Sequence, residues 1–328
     1  MSDLVTFGEA MIRLSPPAQR RLEQTTTLEA TVGGAELNVA AGVARLGLQT
    51  GWVSRLPDNP LGRLARDRAR EFGVDVSHVD LAPDSRMGLY FVEYGASPRA
   101  SSVLYDRAGS AFAELAEGSF DWPAILTGAR AFHTTGITTA ISPAAAGEVE
   151  RALRAARAVG AITSYDLNFR GRLWTAEQAR RVQEPLMELV DVLITTEEDA
   201  ATVFGLTGQD YSAVARALAE RFGFRVVTIT VRGDVSVLRN TWTAIAYAEG
   251  HVFDDRTYDI ELVDRIGGGD AYASGFLYGL MTGDVAKGVR YGNATSALQQ
   301  TMWGDLPYVT LPEVERLLSG QAGTRIQR

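Results

Sequence analysis

The sequence predicts an α/β fold, with a central, mostly parallel sheet covered by helices on both faces and a small β-sheet set apart as a lid. Three observations lead there. Short apolar runs of strand length alternate with helix-period patterns through most of the 328 residues, as in a parallel sheet buried on both sides. Two early segments, about 12–32 and 86–106, break that rhythm: they alternate as strands do (MGLYFVEYG, SSVLYD) without crossover helices, which suits a separate accessory sheet. Near the C-terminal end, VDRIGGGDAYASGFLYGL (263–280) sets three glycines and an aspartate at the mouth of an amphipathic helix, where open α/β sheets handle anions.

The elements follow in order. Leu4 to Phe7 and Gly51 to Val53 read as strands flanking AELNVAAGVARLG, a helix whose small residues allow close packing on a sheet. ARAFH (129–133), AITSYDL (161–167) and DVLIT (191–195) are strand-like, and helix-period patterns span 144–159 and 175–189. From Arg225 to Ala248 three strand-like runs, RVVTITV, SVLR and TAIAYA, are separated by RGD and RNT, which read as turns. In the helix that follows the three glycines Tyr272, Phe276 and Leu280 recur every fourth residue and form one apolar face. No repeat or long linker divides the chain, so residues 1–328 are expected to form a single domain with the lid as an appendage and the final GQAGTRIQR frayed.

Composition narrows the function. The chain is 46% hydrophobic with a formal charge of −8, the profile of a soluble globular protein whose surface attracts neither nucleic acid nor anionic membrane. A small ligand is the better partner. With no cysteine, thiolate catalysis and cysteine zinc sites are excluded, and His78, His133 and His251 share no metal-binding spacing. The start, MSDLVTFGEAMIRL, lacks a basic then apolar leader, and no apolar run reaches 18 residues; the expected location is the cytoplasm.

Chemistry concentrates in loops. Gly267, Gly268 and Gly269 can bring backbone N–H groups close to an anion, and the helix that follows points its positive end at the same place. Asp270, in its first turn, reads either as a base beside a bound phosphate or as an ordinary helix-start carboxylate. VGGAELN (32–38) offers Gly33-Gly34 as a ligand platform and Asn38 as an amide for a hydroxyl, or a plain turn. YDLNFRGRLW (165–174) gathers Asp166, Asn168, Arg170 and Arg172 at a strand end, suited to a carboxylate or phosphate and equally to a surface salt-bridge cluster. LYDRAG (104–109) puts Tyr105 and Arg107 on the lid, and ITTEEDA (194–200) opens a helix with three acids.

Taken together, VGGAELNVAAGVARLG, TVRGDVSVLRNTWTAIAY and VDRIGGGDAYASGFLYGL, in that order and spread over nearly the whole chain, resemble the ribokinase-like, PfkB-type sugar kinases, and among them most the 2-keto-3-deoxygluconate kinases. The resemblance implies a ribokinase-like three-layer sandwich and transfer of the γ-phosphate of ATP, with Mg²⁺, to a sugar-acid hydroxyl. Asp270 matches the family's base, and Gly267, Gly268 and Gly269 its anion hole. Gly34, Asn38, Tyr90, Tyr105, Arg107, Arg170 and Asp305 match substrate positions, the two arginines having a carboxylate to bind. Asn168, Thr230, Arg232, Gly233 and Asp234 fall where the family lines its ATP site, together with Gly267 and Gly269.

Departures are visible. Gly268 stands where many members have a small side chain. The family's magnesium-associated Asn-x-x-Glu appears as Thr196 and Asp199, leaving Asp199 as the metal residue, acting through water. The usual lysine of the nucleotide strand is missing from TITVRGD, where Arg232 is the nearby cation. The implied reaction is phosphorylation of 2-keto-3-deoxygluconate, or its galactonate epimer, at the C6 hydroxyl. The alternatives are a fructokinase- or ribokinase-like kinase of neutral sugars and a catalytically silent sugar-acid sensor on the same fold. A dinucleotide-binding motif is excluded, because the glycines lack the GxGxxG spacing and its later acidic residue. Apolar Leu89, Phe91 and Val103 on the lid predict a homo-oligomer formed through that sheet.

Overall fold

The computed structural model describes residues 2–320, apart from the side chain of Asp234; the tail from residue 321, expected to fray, lies outside the described residues. The chain opens on β1 (Leu4–Phe7), leaves the main sheet for β2 (Met11–Ser15) and β3 (Glu29–Gly33), and returns through α1 (Ala35–Arg45) to β4 (Thr50–Pro57). Next comes α2 (Pro60–Glu71), started by the Asn59 side chain, which accepts from the N–H groups of Leu61 and Gly62, with proline at the first position where no donor is needed. Short edge strands β5 (Val74–Asp75) and β6 (Val79–Ala82) precede a second excursion, β7 (Leu89–Glu93) and β8 (Ser102–Asp106).

Then α3 (Trp122–Ile125), β9 (Ala131–Thr135), α4 (Gly136–Ile141), α5 (Pro143–Ala158), β10 (Ile162–Asp166), α6 (Ala176–Gln183), β11 (Val192–Thr195), α7 (Glu197–Phe204) and α8 (Tyr211–Phe222) build the middle of the body. It closes with β12 (Val226–Ser236), β13 (Arg239–Ala248), β14 (His251–Asp254), β15 (Tyr258–Glu261), α9 (Gly268–Thr282), α10 (Val285–Gln299) and α11 (Leu311–Leu318).

The main sheet runs β14-β13-β12-β11-β10-β9-β1-β4-β5, with β15 on β13 and β6 on β4; pairing is parallel from β12 to β5 and antiparallel at the β13 end. Side chains alternate between two cores, as strand geometry requires. Val5, Phe7, Phe132, Leu193 and Val227 meet α5, α7 and α8 on one face. Leu4, Ala131, Val192, Ile194 and Val226 meet α1, α9 and α10 on the other. The three-layer sandwich is thus present. The α9–α10 crossing is tight enough that a Cβ on Gly279 would fall 2.7 Å from the Gly288 Cα.

The lid is a separate four-stranded sheet, β3-β2-β7-β8, built from the two segments the sequence set aside. Two expectations need correction. RGD and RNT are not turns: β12 and β13 pair straight through them, Arg232 opposite Trp242 and Gly233 opposite Thr241, and the chain reverses at 237–238. Continuous cross-strand pairing outweighs the local turn preference of Gly and Asp there. The helix expected over 175–189 stops as an α-helix at Gln183, where Pro185 cannot donate its hydrogen bond, and 184–189 tightens into a 3₁₀ segment. Among the described residues no helix is long and apolar enough to cross a membrane.

Candidate active site

The first strand, β1, lies inside the sheet, with β4 on one side and β9 on the other, so the strand order reverses between β1 and β9. Loops diverge beyond the carboxyl ends of strands at such a point and leave a crevice. Here the crevice is a cleft of about 910 Å³, floored by the ends of β10 and β11 and the start of α9 and covered by Met11, Gly33, Tyr90, Val103 and Tyr105 of the lid.

Asp270 lies in the first turn of α9 and lines the cleft. Its Oδ2 accepts the Asn38 side-chain N–H at 2.7 Å from α1. Burial pushes its carboxyl up to about 6; the Asn38 bond opposes the shift, Asp305 adds to it, and the Arg170 charge pulls it back. Gly267 caps the helix in the left-handed region, φ 81°, a conformation that favours glycine. A Cβ on Gly269 would meet nothing within 4 Å, so that edge of the loop stays open. Gly268, by contrast, is buried against the Gln300 side chain, away from the cleft lining.

The platform opposite is equally spare. A Cβ on Gly34 would fall 2.2 Å from the Glu9 carbonyl oxygen, and one on Gly33 would lie 2.5 Å from both the Asp305 carboxylate and the Tyr90 hydroxyl. Tyr90 donates to Asp305 Oδ2 and stacks on Tyr105, its register partner across β7 and β8, with ring centroids 5.9 Å apart. Burial and the neighbouring Asp305 raise the Tyr90 phenol well above its ordinary range, so it stays a donor. Arg107 is placed differently from the sequence expectation. Its guanidinium pairs with the buried Glu9, which also accepts the Ser110 hydroxyl, and it is not among the described residues that line the cleft.

On the sheet side, Asp166 ends β10 and Asp199 sits in the first turn of α7; both carboxyls are raised by burial, and Asp166 further by Asp270 and Asp199. Arg170 lines the cleft between them and lowers all three acids. Asn168, left-handed at φ 40°, donates its backbone N–H to Asp166 Oδ1 at 3.1 Å. Thr196, where the family pattern has asparagine, is the N-cap of α7, its hydroxyl accepting the Asp199 N–H at 3.0 Å. Thr230 and Arg232 of β12 line the far end of the cleft, with Gly233 and the Asp234 backbone farther along the same strand. Arg172 donates to the Val103 carbonyl, joining the β10 loop to the lid. His133 is structural: wholly buried beside the Ser164 hydroxyl, it is lowered by burial to about 3.

Two residues escaped the sequence reading. Arg13 of β2 spans Asp264 and Asp305 at 2.6 Å each. Between apolar Ile12 and Leu14 it has the pattern of a solvent-facing residue, and only the packing of lid on body buries it. Glu36, inside VGGAELN, is fully buried; its Oε1 accepts from the Thr135 N–H and the hydroxyls of Thr135 and Thr138, and burial raises it to about 7.

A glycine loop at a helix start, a carboxylate raised toward neutrality beside it and a lidded cleft are together the parts that phosphoryl transfer to a small molecule calls for. The chain belongs to the pfkB family of carbohydrate kinases, whose model matches residues 1–304. It is thus a phosphotransferase with an alcohol acceptor, binding a sugar and ATP. It is 41% identical to a 2-dehydro-3-deoxygalactonokinase of Haloferax volcanii, over 97% of each chain. The crystal structure of a 2-dehydro-3-deoxygluconokinase from Thermotoga maritima superposes with a TM-score of 0.94 at 42% identity, covering 97% of this chain and 98% of that one. A PfkB family carbohydrate kinase from Listeria grayi gives a TM-score of 0.92 at 30% identity, covering 96% and 99%.

Proposed function

We propose that the protein phosphorylates a 2-keto-3-deoxy sugar acid, 2-keto-3-deoxygluconate or its galactonate epimer, at the C6 hydroxyl, with ATP as donor. The observation that carries this reading is Arg170: a cation lining the cleft that also holds Asp270, with a guanidinium fork suited to a carboxylate. The names of the two 41–42% identical relatives support a keto-deoxy acid and differ only in the epimer.

In the mechanism Arg170 holds the substrate carboxylate at one end, and Gly33, Gly34, Tyr90, Tyr105 and Asp305 form the bed for the carbon chain. Arg107 joins only by exchanging Glu9 for the substrate. Asp270, ionised at neutral pH yet basic for an aspartate, takes the proton from the C6 hydroxyl as that oxygen bonds to the γ-phosphorus. The bond from phosphorus to the β–γ bridging oxygen breaks, and ADP leaves with the electron pair. Asn38, which also lines the substrate bed, donates to the Asp270 carboxylate and favours its ionised form. The N–H groups of Gly267 and Gly269, at the positive end of α9, take up charge on the phosphoryl oxygens. Asn168, Thr230, Arg232, Gly233 and Asp234 hold the nucleotide, and the lid excludes water.

Mg²⁺ fits this cleft as a companion of ATP. Among the described residues no three acids or histidines converge to hold a metal by themselves, but Asp199 and Asp166 are partly buried at the cleft, and the Asp199 charge raises the Asp166 carboxyl, a donor set a dication would relieve. Magnesium characteristically uses one or two carboxylates, waters and phosphates, and supplies charge neutralisation on the phosphates. Self-association through the lid is part of the same reading, with one change from the sequence expectation: Val103 faces the cleft, while Phe91 shares the opposite face with its register partner Leu104, which is 58% exposed. A monomer by sedimentation would count against it.

The test of the reaction is the product. Incubation with MgATP and each keto-deoxy acid, followed by phosphorus NMR, should show a phosphate ester coupled to the C6 protons. An ester at another carbon, or none, would overturn the assignment.

A further inference from the structure

One lid side chain has no part in the mechanism above, yet touches both segments that frame the glycine loop. Arg13 is 2% exposed and its guanidinium is occupied at every edge. Nη1 donates to Asp305 Oδ1 at 2.6 Å, Nη2 to Asp264 Oδ2 at 2.6 Å and Nε to Ser15 Oγ at 3.2 Å, while the flat face lies 5.2 Å from the Tyr94 ring centre.

The two carboxylates meet the loop at different points. Asp264 stands just ahead of it: Oδ1 accepts the Ile266 N–H at 3.0 Å, and Oδ2 takes the Tyr94 hydroxyl at 2.6 Å and the Gly304 N–H at 3.2 Å. Asp305 packs its backbone on the loop itself, close enough that a Cβ on Gly267 would fall 2.6 Å from its carbonyl oxygen. The orientation of the α9 entrance therefore depends on how segments 264–267 and 304–305 sit relative to each other, and one guanidinium spans both.

We propose that Arg13 is a positioning residue for phosphoryl transfer, a two-ended clip that sets where the Gly267–Gly269 loop presents its N–H groups and where Asp305 presents its carboxylate. A buried ion pair is weak as a source of stability, since apolar side chains of similar size often replace one at no net loss. A planar fork held at two ends instead fixes orientation, and displacement of a reacting group by ~1 Å costs about a hundredfold in rate. The clip also ties β2 of the lid to the body.

The inference rests on Asp270 and the glycine loop being the catalytic machinery, so Asp270→Asn is assayed alongside. If Asp270→Asn turns over normally, that reading fails whatever Arg13 does. Substrate choice is read separately from wild-type turnover, and Arg13 variants are compared with wild type on whichever sugar is used best. Lysine keeps the charge but cannot span both carboxylates, so Arg13→Lys should fold, keep its KM for ATP within about threefold and lose at least about tenfold in kcat. Arg13→Met should melt early because Asp264 is left unpaired, and adding Asp264→Asn should restore much of the thermal midpoint without restoring kcat. Wild-type kcat in Arg13→Lys, or kcat recovering together with stability in the double variant, would overturn the proposal and leave Arg13 a structural ion pair.

Discussion

Replacing Asn38 with leucine should move the acid limb of the pH–rate profile to higher pH. In the proposed mechanism Asp270 works as the carboxylate, and burial has raised it to about 6, so wild-type kcat/KM should fall roughly tenfold per pH unit below that point. The Asn38 N–H, 2.7 Å from Asp270 Oδ2, is the group that most opposes the rise. A hydrogen bond to a charged partner is worth about 1.5–3 kcal/mol, or about 1–2 pH units at 1.36 kcal/mol per unit. The limb should therefore move from about 6 to about 7–8, because the ionised base has lost its stabilising donor. At pH 7 the variant should keep about a tenth to a half of wild-type kcat/KM, and near pH 9 it should regain most of it. Leucine is chosen because its bulk keeps water from replacing the amide. The assay is initial-rate ADP release between about pH 5 and pH 9. A limb that stays at 6, or a loss at pH 7 that persists at pH 9, would refute Asn38 as the group tuning Asp270.

Other outcomes follow from the same contacts. Asp270→Asn should lower kcat by at least ~10²–10⁴-fold with substrate affinity within a few-fold. It should also raise stability at neutral pH: a carboxyl raised from 3.8 to about 6 costs the folded state increasingly as pH climbs through that interval, so calorimetry should find a gain of up to about 3 kcal/mol at pH 7 that is absent below pH 4. Arg170→Ala should cost acidic substrates far more kcat/KM than neutral sugars, and equal losses would assign the arginine to ATP or to structure. Gly267→Ala should destabilise by about 1–3 kcal/mol and slow turnover, because φ is 81° and the new Cβ would meet the Asp305 carbonyl oxygen at 2.6 Å.

What could be read from the sequence was local. The glycine loop and Asp270 are contiguous, Gly34 and Asn38 share one helix start, and the lid strands announce themselves by alternation without helices. Tyr90 and Tyr105 were placed on the lid correctly, and they prove to be register partners. What escaped depends on residues far apart in the chain. Arg107 is neutralised by Glu9, and nothing near either residue signals the pair. Arg13 owes its burial to Asp264 and Asp305, which lie more than 250 positions downstream. Thr196 read as a weakened metal motif, and its role as a helix cap appears only once α7 is in place.

ADP release by purified protein with MgATP, comparing 2-keto-3-deoxygluconate, its galactonate epimer, fructose and ribose at equal concentration, tests the central claim most directly. Strong turnover confined to one or both keto-deoxy acids is the result expected from a cleft that sets Arg170 against Asp270. Preference for fructose or ribose would contradict it.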